Sequence, residues 1–138
     1  MPEITELAIG DIVAEKNFHL DRDSLVRYAG ASGDFNPIHY RDDAAAGVGL
    51  PGVLAHGMLT MGLSIGPVVS WLGDAGKILD YGVRFTKPVV VPANGQALIT
   101  VIAKVVELDL DAKKARIDLQ TSFDGNNVLG KAQVWVQL

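Results

Sequence analysis

From His56 to Leu72 the sequence HGMLTMGLSIGPVVSWL places apolar side chains on every side of a helix. A helix that is greasy all round cannot lie on a surface and needs other elements wrapped around it. The run is broken by Gly, Ser, Thr and Pro and is too short to read as a membrane span. Pro67 is expected to bend it or to mark a break near Ile65-Gly66. Whatever this chain folds into must therefore be built around one buried helix.

The material for wrapping it follows at once. Ile78–Thr86, Ala97–Leu108, Lys114–Phe123 and Val128–Leu138 are rich in β-formers with stretches of alternation. Turn signals separate them at 88–95, 109–113 and 124–127, and Asp124-Gly125-Asn126 suits a tight hairpin. Upstream, residues 1–20 read as extended. Asp21–Ala31 reads as a short helix capped by Asp21 or Asp23, with Leu25, Tyr28 and Ala29 on one face. A second helical piece spans Asp42–Ala46, and 47–52 is a loop. Helices first and antiparallel strands after is an α+β pattern. A sheet curled around one apolar helix is the hot-dog architecture, and the 138 residues are read as a single such domain. The sheet would end in an exposed edge that a second subunit can cover, so a dimer is expected.

Composition narrows the function classes. There is no cysteine, which removes disulfides and thiolate chemistry. The net charge of −4, with acids and bases interspersed, argues against a nucleic-acid partner. The acidic start MPEITELAIGDIV lacks the basic-then-apolar order of a signal peptide, so a cytoplasmic location without membrane insertion is expected. Apolar content of 49% with only 7% aromatic suits a well-buried core and an apolar surface lost to a partner.

The chemistry-bearing residues cluster before the apolar helix. SGDFNPIH carries Asp34, Asn36 and His39 on a turn, since Pro37 pushes Asn36 out of helical backbone. Gly57 stands in the helix's first turn, where unpaired N–H groups and the dipole favour negative charge. Asp34 alone would read as a turn residue and His39 alone as a half-buried structural histidine. It is the constellation that lifts them. His56 reads as structural, its ring bonding to backbone near the helix start, and His19 as a surface residue. Ser24 and Thr60 read as structural, Tyr28 as packing under the turn, and Trp71 and Trp135 as packing or interface. Met58 and Met61 read first as core. The helix can also line an apolar channel, which makes Met58 a candidate ligand contact. Arg84, Lys87, Lys104 and Lys131 are candidate partners for phosphates or an acidic protein face, each more ordinary as a solvated charge.

Three segments, YAGASGDFNPIHYRDDAA, GLPGVLAHGMLTMG and YGVRFTKPVVVP, resemble the MaoC-like hydratases, the (R)-specific enoyl-thioester hydratases and dehydratases. Within that group the chain is similar to the single-hot-dog subunits of actinobacterial 3-hydroxyacyl-carrier-protein dehydratases. The pattern Asp-x-Asn-Pro-x-His, followed seventeen residues later by His-Gly-Met, carries the likeness. It implies reversible hydration of a trans-2-enoyl thioester to the (R)-3-hydroxyacyl thioester. It also implies Asp34 and His39 as the catalytic pair and the Gly57 N–H as the contact of the thioester oxygen. Asn36, Met58, Arg84 and Lys87 become substrate-side candidates, with no metal or organic cofactor required. The substrate would be carried on CoA or on an acyl carrier protein, by a homodimer or by a heterodimer with another hot-dog subunit. Arg41 departs from the small polar residue common there in relatives, and bears on the rim or the next helix cap. A hot-dog thioesterase, a subunit active only beside a partner, and a pure acyl-binding module are the rival readings.

Overall fold

The computed structural model describes residues 1–138. Its frame is an antiparallel sheet in the order β1 (Ile12–Leu20), β3 (Ala97–Asp109), β4 (Lys114–Phe123), β6 (Leu129–Gln137), β2 (Ile78–Phe85). The short β5 (Asn126–Asn127) pairs with β4 alone. Asp124 and Gly125 both take positive φ, 50° and 74°, and close the β4–β5 hairpin with Phe123 opposite Asn126. That is the two-residue turn the Asp-Gly pair favours. On β3 up to Val105, on β4 from Ala115 to Thr121, and on β6 from Ala132, every second residue is buried, among them Ile99, Val101, Ala103, Ile117 and Val134. This inward face is the core, and the sheet curls it around a helix as a hot-dog fold.

That helix is α3 (Gly57–Leu72), which contacts β1, β2, β3 and β4. It runs unbroken through Pro67, against the break expected there. Pro67 is itself buried against the core, and that packing offsets the backbone bond a proline forfeits. Nor is α3 enclosed on all sides. Thr60, Ser64, Pro67, Val68 and Leu72 form its buried stripe, while Met61, Leu63 and Ile65 are only half covered and Met58 is 59% exposed. Met58 is therefore not a core residue. The physical reason is geometric: one five-stranded arc covers one side of a helix, and the sequence supplied apolar residues for more. No helix of the chain is long and apolar enough to cross a membrane.

A buried polar ladder fixes α3 against the sheet. The Thr121 hydroxyl on β4 donates to Ser64 Oγ at 2.9 Å, and Ser64 donates to the Thr60 carbonyl at 2.7 Å. Both hydroxyls are fully buried, so removing one orphans the other. Ser64→Ala is expected to destabilise the fold by about 1–3 kcal/mol in urea unfolding, and Ser64→Ala/Thr121→Val to recover much of that loss. A double variant no more stable than the single one would show that the ladder carries no such coupling.

The first helix, α1 (Arg22–Ser32), is capped by Asp21 in a reciprocal box with Ser24 and stops at Gly33, whose φ is 76°. Helices commonly end in a left-handed residue, and glycine adopts that conformation without strain. The following turn leads to α2 (Asp42–Gly47). Arg22 clasps these pieces together, its Nε–H donating to the Val91 carbonyl at 2.8 Å and its guanidinium pairing with Asp42.

Candidate active site

The turn between α1 and α2 is shaped by its own side chains. Asp34 N–H donates to Ser32 Oγ at 3.1 Å, and Asn36 N–H donates to Asp34 Oδ1 at 3.1 Å. Asn36 in turn caps the single 3-10 turn Pro37–His39, its Oδ1 accepting from Ile38 N–H at 3.2 Å. These bonds explain why this run of short polar residues and proline folds locally as it does. They commit Oδ1 of Asp34 to the backbone and leave Oδ2 free. Oδ2 lies 3.9 Å from His39 Nε2, with the Asp34 side chain half exposed and His39 nearly buried.

The histidine is oriented by Leu54. Its Nδ1 is 2.7 Å from the Leu54 carbonyl, and a carbonyl can only accept, so Nδ1 carries the proton. In the neutral ring Nε2 is then a bare acceptor facing the carboxylate. Leu54 holds the same turn a second time, its N–H donating to the Ile38 carbonyl at 3.1 Å. The segment around it is anchored by a short ladder, Ala55 N–H to Val89 O and Val91 N–H to Val53 O, each at 2.9 Å.

A cavity of about 290 Å3 opens beside this pair, lined by His39, Leu54, Ala55, Gly57, Thr60, Phe85–Val89, Val128 and Leu129. Asp34 is not among the lining residues and reaches the cavity only through its neighbour His39. Gly57 is the first residue of α3, and neither its N–H nor that of Met58 has an acceptor in the protein. The Phe85 ring lies across Gly57 so closely that a Cβ there would sit 2.9 Å from Cε1. Only a bare backbone lets ring and amide share this wall. One region thus brings together a carboxylate, an imidazole acceptor, a free amide at a helix N-terminus and an apolar recess. That set can activate a water and stabilise negative charge on a carbonyl oxygen.

Of the other residues singled out from sequence, Lys87 lines the cavity and donates to Asn126 Oδ1 at 3.0 Å. Arg84 lies outside it, exposed on β2 opposite Gly130. Met58 is next to the amide but not in the lining, and Arg41 turns to Asp43 on α2. Lys104 and Lys131 sit together in a separate groove with Asp118. Sequence reasoning missed Phe85 and Thr60 as wall residues. The Thr60 hydroxyl is nearly buried in the first turn of the apolar helix, 3.5 Å from the His56 carbonyl.

Ligand atoms of Asp34, His39 and His56 lie within 4.8 Å of one another, a spacing that invites a metal reading. The two imidazoles, however, are stacked with centroids 3.8 Å apart and planes 20° from parallel. Ring lone pairs lie in the ring planes, and near-parallel planes do not meet at one ion. The cluster suits proton handling.

Fold and site together define a hot-dog domain with an Asp–His pair at the foot of its central helix. The family described as MaoC like domain matches residues 6–120, and the chain belongs to that family. The 3-hydroxyacyl-thioester dehydratase X of Mycobacterium tuberculosis is 45% identical over 68 residues, 49% of this chain and 23% of that protein. A solved MaoC-like dehydratase is 36% identical with a TM-score of 0.96, covering 99% of this chain and 42% of the other. The R-hydratase PhaJ1 of Pseudomonas aeruginosa, in its unliganded form, is 26% identical with a TM-score of 0.75, over 98% and 85% of the two chains. The chain thus spans less than half the length of the first two relatives.

Proposed function

We propose that this domain adds water reversibly across the double bond of a trans-2-enoyl thioester, giving the (R)-3-hydroxyacyl thioester. The observation that carries the reading is the 3.9 Å gap between Asp34 Oδ2 and Nε2 of His39, which lines the cavity. Both atoms are acceptors, and one water can donate a hydrogen to each. Its oxygen lone pair is then directed away from both, toward C3 of a substrate whose carbonyl rests on the Gly57 N–H. His39 Nε2 takes a proton as the C3–O bond forms, and the π electrons move onto the thioester oxygen as an enolate. The enolate collapses by taking that proton back at C2. Asp34 holds the water's second hydrogen and faces the imidazolium while it exists. Water's atoms are all accounted for, and dehydration is the same path reversed.

The acyl chain is placed in the apolar recess between Leu54, Val89, Val128 and Leu129, with Lys87 at the cavity wall toward the CoA or carrier-protein arm. The exposed Leu79 and Phe85 on edge strand β2, with Met58 nearby in the fold and the half-covered flank of α3, support pairing with a second hot-dog subunit, identical or not.

Incubation with crotonyl-CoA tests the reading. Enoyl absorbance is expected to fall without release of free thiol, and the product to be the (R)-3-hydroxy isomer. Free thiol instead would mean attack at the carbonyl carbon and a thioesterase. No change with any enoyl-CoA or carrier-protein substrate, with or without a partner subunit, would leave the acyl-binding reading.

A further inference from the structure

We propose that His56 is a positioning residue for the Asp34–His39 pair, gripping the backbone of one member and the ring face of the other. The inference rests on the hydration reading above for its kinetic part. His56 is 1% exposed. Its Nε2 lies 3.2 Å from the Asp34 carbonyl, which can only accept, so Nε2 carries the proton and holds that carbonyl. Its ring is stacked on His39 at 3.8 Å and meets Tyr28 edge-on at 4.7 Å. The Asp34 carbonyl and the rings of His39 and Tyr28 therefore converge on this one ring.

A purely structural N-cap would look different. The residue before an α-helix usually offers a side-chain acceptor to the first-turn N–H groups. His56 occupies that position and makes no such bond, its ring being turned to the loop instead. The consequence is that the Met58 amide stays open to a ligand beside that of Gly57, where Ser or Asp at the same place would compete for the N–H of Met58 or Leu59. The ring also gains a second proton less readily than an ordinary imidazole. Burial lowers its affinity for a proton; the bond to the Asp34 carbonyl opposes this, the neighbouring His39 adds to it, and the charge of Asp34 works against it. A second proton would sit on Nδ1, which has no acceptor among the protein groups. A partner of lowered basicity beneath His39 favours His39 as the ring that takes the transferable proton.

The test uses two substitutions that each keep half of the grip. His56→Phe retains a flat ring under His39 and loses the donor to Asp34, whereas His56→Gln retains a donor and loses the stack. With crotonyl-CoA, kcat is expected to fall about 10- to 100-fold in His56→Phe and less in His56→Gln, with KM changed no more than about threefold. In an Asp34→Asn background His56→Phe is expected to cause almost no further loss, because both act through the same carboxylate. Equal losses in both backgrounds, or a KM effect alone, would overturn the proposal. A readout free of turnover separates this from failure of the hydration reading. The Asp34 carbonyl 13C shift should move in His56→Phe and be largely kept in His56→Gln. An unmoved shift in His56→Phe would sink the positioning role even if the enzyme proves to do other chemistry.

Discussion

Asp34→Asn and His39→Ala are each expected to lower kcat for enoyl-thioester hydration about 1000-fold, with the fold unchanged. Asparagine keeps the size of the carboxylate and its Oδ1 bond to Asn36 N–H. What it loses is the charge facing the imidazolium and, at the Oδ2 position, an acceptor for water. His39→Ala removes the only ring nitrogen in the cavity lining. On the proposed mechanism the two side chains share one water, so the double variant should be little worse than either single one. Circular dichroism and unfolding would confirm that the exposed Asp34 side chain contributes little to stability. Either variant retaining near wild-type turnover would remove that residue from the mechanism.

The second large effect concerns an atom that ordinary side-chain substitution cannot reach. Gly57→Pro deletes the N–H proposed to receive the thioester oxygen. The backbone there tolerates the change: Gly57 is the first helical residue, where proline is common, and His56 has ψ of 132°, the extended region a residue before proline needs. Gly57→Ala is the steric control, since its Cβ also meets Phe85 at 2.9 Å while the amide survives. Alanine is expected to cost about tenfold in kcat/KM through displacement of the ring. Proline should lose about 100- to 1000-fold more in kcat, the usual effect of removing one oxyanion donor. Equal activity of the two variants would mean that the amide binds nothing of consequence.

Much of this arrangement was legible before any coordinates. Asp21 or Asp23 marked the start of α1 and Gly30 and Gly33 bracketed its end, with the structure choosing Asp21 and Gly33; Asp124-Gly125 announced its hairpin, and the alternation of β3, β4 and β6 their inward face. Asp34, His39 and Gly57 stood out because residue types and spacing are all a motif requires. The parts that escaped notice share a physical cause. The tautomer of His39 is set by a main-chain carbonyl, and every residue has one, so Leu54 carries no mark of the task. The stack of His56 on His39 joins residues seventeen apart through a fold, not through a pattern. Phe85 reached the cavity because β2 ends beside α3, a tertiary fact. Hydropathy likewise misjudged α3, since it counts apolar residues without knowing whether one chain or two will cover them.

Leu54 serves the site twice: its carbonyl holds the histidine, and the residue also lines the cavity. On the proposed mechanism, proton chemistry and chain accommodation meet at this position but use different atoms. Any residue other than proline at 54 can preserve both main-chain bonds while changing what the recess admits. The chain accepted could then be altered here without disturbing how His39 is held.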